Sequence, residues 1–246
     1  MTRNVWNSPF DAGSQSFGEG QFKEINQVNS GVLTPETTLV MLTLGGNDGG
    51  GFTNAMMDCA GIGTNCNEDP NFLPKYKGIV DQTMIPNLSS TLSDIALKAP
   101  NAQIVLMGYP ELLSRTVKCA GSLYYMMPEV AALAELVNHA DSQQEKLVGQ
   151  LKTGGMKIAY ANPVDAFVGH AGCDDPEWIN KIVIGPNGDG DFHQGDPVTK
   201  VSGSCTADWL PEGCLSRESF HPKSDGTTGY ANVMKSRLTA LGYTGS

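Results

Sequence analysis

The chain has 246 residues, with 26 Asp and Glu against 16 Lys and Arg and a formal charge of −10. It holds no run of basic residues, which makes nucleic acid and anionic membrane surfaces poor partners, and no apolar stretch of the ~18 residues that a bilayer span needs. A chain of this length can bury about 75% of its surface in one α/β unit, so residues 1–246 are expected to form a single domain.

In chain order, Phe22, Ile25 and Val28 fall at helical spacing and predict a short amphipathic helix over Gly20 to Asn29. Thr38 to Leu44 is a continuous apolar run that stops at glycine, as a strand buried on both faces should. Lys75 to Leu97 reads as a helix kinked at Pro86, and Asn101 to Met107 as a second buried strand. Pro128 to Leu151, opened by proline, is the clearest helix. Gly154 and Gly155 then lead into a third strand at Lys157 to Ala161. A long irregular segment from Asn162 to Phe220 precedes a final helix near Thr227 to Leu241. Strands alternating with helices imply a parallel sheet with right-handed crossovers, an α/β fold.

The six cysteines form an even set. Cys59 with Cys66 and Cys205 with Cys214 lie close in sequence inside Gly- and Asn-rich loops and read as local bridges, which leaves Cys119 for Cys173. Disulfides imply an oxidising, secreted or extracellular location. The N-terminus, Met-Thr-Arg-Asn-Val-Trp, has no apolar core of a signal peptide. A missing front end is therefore expected.

Two segments carry chemistry. Gly45-Gly46-Asn47-Asp48 stands at the end of the first strand, where ligands of open parallel sheets collect. Its glycines allow a tight turn, and Asn47 offers a neutral NH2 donor suited to a developing oxyanion. Composition alone also permits a plain strand-to-loop turn. Glu218-Ser219-Phe220-His221-Pro222 puts a histidine in a short loop before the last helix. A carboxylate three residues upstream, or a backbone carbonyl in its stead, would fix the tautomer of His221 for work as a base.

These segments resemble the third and fifth sequence blocks of the SGNH (GDSL-type) hydrolases. Val164-Asp165-Ala166-Phe167, Gly169-His170-Ala171-Gly172-Cys173 and Trp178 resemble the secreted, disulfide-bonded lipase and esterase branch. The likeness runs from about Gly18 to Tyr230. It implies a three-layer α/β/α sandwich with a parallel, flavodoxin-like sheet and a carboxylic ester hydrolase acting through a serine acyl-enzyme. It also implies Asn47 as an oxyanion donor, His221 as general base and Glu218 in the place of the family's usual Asp. No cofactor or metal is required, and the partner is a small-molecule, lipid or carbohydrate ester.

The family's first block, a GDS motif that supplies the serine, and its second block, which adds a glycine N–H, have no counterpart here. The expectation is thus a domain lacking its N-terminal blocks and first strands, with the Thr38 to Leu44 strand left partly unpaired and prone to pair with another chain. Gly13-Ser14-Gln15-Ser16 echoes the first block only in part, because Asn7 to Ala12 is no strand to deliver Ser14. The competing reading is a catalytically inactive binding module, or one that needs a separate N-terminal segment.

Weaker candidates remain. His139 lies within a helix and His170 in the loop around Cys173, and both read as structural. Asn187-Gly188-Asp189-Gly190-Asp191 lacks the closing glutamate of an EF-hand calcium loop. Asn87-Leu88-Ser89 is a glycosylation sequon within a helix pattern, a weak signal.

Overall fold

A computed structural model of the chain describes residues 27–59, 65–118, 127–181 and 219–243. Three parallel strands stand in the order β1 (Leu39–Leu42), β2 (Gln103–Met107) and β3 (Ile158–Ala161). Leu39 pairs with Gln103 and Ile104 with Ile158, so Leu42 at the end of β1 stands level with Leu106 and Tyr160, and β2 and β3 run one residue further. The helices are α1 (Gly51–Cys59), α2 (Phe72–Ile79), α3 (Ile85–Lys98), α4 (Met127–Thr153) and α5 (Ser224–Ala240).

Side chains that alternate along β2 and β3 define the layers. Ile104, Leu106, Ile158 and Tyr160 face Leu88, Leu92 and Ile95 of α3 and Leu147 and Val148 of α4. Val105, Met107 and Ala161 face the opposite way, onto Tyr230, Val233, Met234 and Leu238 of α5. Helices cover both faces, which makes the expected three-layer α/β/α arrangement. Leu88, Leu92, Leu106 and Val105 are fully buried, each contributing about 1.5–3 kcal/mol by leaving water.

The first strand departs from its reading. Only Leu39–Leu42 is strand, and it is half-buried, with Met41 exposed at 53%. Among the described residues β1 is bonded on one side only, to β2. Continuous apolar sequence could not separate a strand covered on both faces from one at the margin of the sheet.

The kink expected at Pro86 takes a specific form. α2 passes into a five-residue π-turn, Val80–Met84, before α3 begins. Pro86 has no N–H to give to the carbonyl four residues back, and the chain widens there: the Ile85 N–H reaches back five residues, to the Val80 carbonyl. Of the helix expected over Gly20 to Asn29, Gln27–Asn29 is a single 3-10 turn and the rest lies outside the described residues.

One element was not foreseen. Cys59, expected in a loop, is the last residue of α1, whose buried face is Ala55, Met56 and Cys59. The apolar positions were legible, but the surrounding glycines read as turn chemistry. The Cys59 to Cys66 bridge is formed. Cys173 is also disulfide-bonded. Cys119, Cys205 and Cys214, and with them the other two expected pairings, lie outside the described residues. Among the described residues no helix is long and apolar enough to cross a membrane.

Candidate active site at the strand ends

The Gly45 to Asp48 turn is built so that only glycine fits its first position. Gly45 has φ +109, and a Cβ there would lie 2.9 Å from Met84 Cγ. The Asp48 N–H donates to the Gly45 carbonyl at 2.9 Å and the Phe52 N–H to the Gly46 carbonyl at 3.2 Å, which turns the chain directly into α1. Asp48 is buried at 2% exposure and accepts a hydrogen bond from Asn87 Nδ2 at 3.4 Å. The sequon asparagine thus braces the turn from α3. Asn47, between buried Gly45 and Asp48, is on the exposed side.

A second layer of polar groups supports this turn from beneath. The Gly46 N–H donates to the Tyr109 hydroxyl at 3.0 Å, and the Tyr109 N–H donates to Asp141 Oδ1 at 2.9 Å. Gln144 Nε2 donates to the Leu44 carbonyl at 3.1 Å. Burial pushes the Tyr109 phenol up to about 12, offsetting the hydrogen bond from Gly46, which lowers it. Burial likewise raises the Asp141 carboxyl to about 6, against the opposing pull of the Tyr109 N–H and the Tyr160 hydroxyl. Phe52 stacks on the Tyr109 ring, with centroids 6.1 Å apart. Together with Ile79 and Met84 they line a narrow apolar pocket against Gly45 and Gly46.

The histidine loop is held as firmly. Phe220 has φ +63, a strained conformation for a non-glycine residue. Two backbone bonds to Asn180 enforce it: the Phe220 N–H donates to the Asn180 carbonyl at 3.0 Å, and the Asn180 N–H to the His221 carbonyl at 2.9 Å. Lys223 Nζ donates to Glu177, which also accepts from the Cys173 N–H at 2.8 Å. Burial raises the Glu177 carboxyl, but the Lys223 ammonium and that N–H outweigh it and hold it below the usual range. Close packing completes the join: a Cβ on Gly226 of α5 would meet the Trp178 carbonyl oxygen at 2.2 Å.

His221 itself is exposed, and its Nδ1 lies 3.1 Å from the Ser219 carbonyl oxygen. A carbonyl can only accept, so Nδ1 carries the proton and Nε2 is left as the basic nitrogen. Glu218 lies outside the described residues, as do Ser14 and the Asn187 to Asp191 segment. Among the described residues no cluster of His, Cys, Asp or Glu could hold a metal ion.

The other two described histidines have structural partners. His170 stacks on Trp178 with centroids 3.9 Å apart and places Nδ1 3.0 Å from the Pro176 carbonyl oxygen. His139 pairs with Asp81 at 2.8 Å. Asn47 follows β1 and His221 precedes α5, whose Tyr230 lies near enough to Tyr109 and Asp141 for their charges to raise its phenol further than burial alone does.

Asp141 and Gln144 went unnoticed in the sequence. A signal was there: both fall on the face of α4 that buries Val137, Ala140, Leu147 and Val148. Polar residues on an apolar stripe mark a buried network.

No family model matches the chain. It is 27% identical over 168 residues to a lipase of Streptomyces rimosus, covering 68% of this chain and 57% of that protein. It is 25% identical over 202 residues to lipase 1 of Streptomyces coelicolor, covering 81% of this chain and 59% of that one. The chain is similar in sequence to these lipases. It spans little more than half the length of the proteins it matches. Its fold is that of a phospholipase A1 from Streptomyces albidoflavus, at TM-score 0.60 and 24% identity over 85% of this chain and 72% of that one. The extracellular lipase of Streptomyces rimosus has the same fold, at TM-score 0.55 and 22% identity over 83% and 70% of the two chains. The likeness to secreted lipases read from the motif segments is met by the likeness of sequence, and the expected α/β fold by the likeness of structure.

Proposed function

We infer that this lipase relative is a secreted carboxylic ester hydrolase of the SGNH type, organised as one domain, in which His221 is the general base and Asn47 an oxyanion donor. The observation that carries the reading is the contact of His221 Nδ1 with the Ser219 carbonyl. It fixes the tautomer whose Nε2 can take a proton from a serine hydroxyl. A backbone carbonyl in this role leaves Glu218 as an auxiliary carboxylate rather than a required third member.

The serine belongs to residues outside the described ones. Its Oγ attacks the ester carbonyl while Nε2 of His221 accepts the proton, and the Asn47 amide takes up the negative charge on the carbonyl oxygen. His221 returns the proton to the leaving alcohol, and water then releases the acid by the same steps in reverse. The reaction balances without a cofactor. The substrates are esters with an apolar acyl part, in keeping with the lipases it resembles.

Hydrolysis of a p-nitrophenyl acyl ester by the natural protein that contains this sequence tests the reading. Asn47→Ala should cost about 10²- to 10³-fold in kcat. An unchanged rate would remove Asn47 from the site, and no hydrolysis by the wild type would leave the binding module as the better account.

A further inference from the structure

Asp141 and Gln144 are buried at 3% and 0% exposure. Burying a carboxylate in an apolar layer is costly unless its hydrogen bonds serve the fold, and both side chains reach the turns at the strand ends. Gln144 holds the Leu44 carbonyl, Asp141 holds the Tyr109 N–H, and the Tyr109 hydroxyl holds the Gly46 N–H, which lies in the Gly45–Gly46 peptide, one before the peptide that joins Gly46 to Asn47. The turns after β1 and β2 are thus tied to each other and to α4 by three hydrogen bonds that converge beneath Asn47.

We propose that Tyr109 is a positioning residue that sets the attitude of Asn47 through the Gly46 peptide, and that Asp141, acting through Tyr109, makes that attitude responsive to protonation. The proposal rests on the assignment of Asn47 as oxyanion donor. With its N–H engaged by Tyr109, the Gly45–Gly46 peptide is held against rotation, which steadies the turn that carries Asn47. The phenol is neutral at every pH of interest, so the contact does not change its character by its own titration.

Asp141 is different. Its Oδ2 meets no donor in hydrogen-bond geometry among the described residues. The groups that face the carboxyl are Tyr109 after β2, Tyr160 of β3, Glu145 of its own helix and Tyr230 of α5. None is a cation, and the Tyr109 N–H and Tyr160 hydroxyl only partly offset the burial of the charge, which leaves the carboxyl raised to about 6. Protonation weakens the acceptor of the Tyr109 N–H, since hydrogen bonds to charged groups are about twice as strong as those to neutral ones. The loosened Tyr109 then frees the Gly46 peptide.

Amide 1H–15N spectra of the 246-residue chain recorded from about pH 8 down to about pH 4 test the coupling. The Gly46 and Tyr109 amides should titrate together with a midpoint near 6. Asp141→Asn should abolish both titrations, and Tyr109→Phe, which keeps the ring against Phe52, should abolish only that of Gly46. In the natural protein that contains this sequence, Tyr109→Phe should lower esterase kcat by about tenfold with KM within about twofold. A Gly46 amide that ignores the ionisation of Asp141 would overturn the coupling. Unchanged kcat in Tyr109→Phe, when Asn47→Ala is severely impaired, would overturn the positioning role alone. Full activity in Asn47→Ala would instead overturn the assignment of Asn47, while the spectra still decide the coupling.

Discussion

Replacing Asp141 by Asn keeps the acceptor for the Tyr109 N–H and removes the buried charge. The Asp141 carboxyl is raised from 3.8 to about 6, and each unit is worth about 1.4 kcal/mol, so the ionised side chain costs the folded state about 3 kcal/mol. The sign follows from the direction. Below pH 3.8 the carboxyl is protonated folded and unfolded, and the cost is absent. As the pH rises through about 6 the folded carboxyl ionises as well, and the whole cost is then present. Urea unfolding of both proteins at about pH 4 and about pH 8 reads the effect. The stability of Asp141→Asn relative to wild type should rise by about 2.5 kcal/mol between those limits, since at about pH 4 a small part of the cost is already present. A difference that does not vary with pH would mean that Asp141 is hydrated or paired in solution, and the reasoning from its burial would fail.

The remaining predictions concern the parts that hold the site together. Gly108→Ala places a Cβ 2.0 Å from Tyr160 Oη and 2.6 Å from Asp141 Oδ1, so it should lose about 2–3 kcal/mol in urea unfolding. Cys59→Ser with Cys66→Ser opens a bridge of separation seven and should cost about 2 kcal/mol in the same measurement. Lys223→Met removes the Glu177 partner that ties the His221 loop to the segment before it. With much of Lys223 in water its effect on stability should stay near 1 kcal/mol, and a several-fold fall in esterase kcat is the expected sign of a loosened His221.

The layers of the fold were legible because each has a distinct sequence signature. The apolar runs ending at Met107 and Ala161 form β2 and β3, and the 3.6-residue stripe of α4 packs against them. α1 was hidden because Gly49, Gly50 and Gly51 look like a loop, although they deliver the chain straight from the turn into a helix. The site was half visible. Asn47 and His221 stand in recognisable segments, and the alternative orienting group for His221, a backbone carbonyl, is the one in contact with Nδ1. The network of Tyr109, Asp141 and Gln144 was not visible, because its members lie 32 to 100 residues from their partners and nothing local marks such pairs. Only a polar residue on a buried helix face could have announced them.

The central claim is that His221 is the base of a serine ester hydrolase. Single-turnover hydrolysis of a p-nitrophenyl ester by the natural protein that contains this sequence tests it most directly, with His221→Ala beside the wild type. Acylation should slow by at least about 10³-fold in the variant while ester binding is unchanged; an acylation rate that survives the loss of the imidazole would contradict the account.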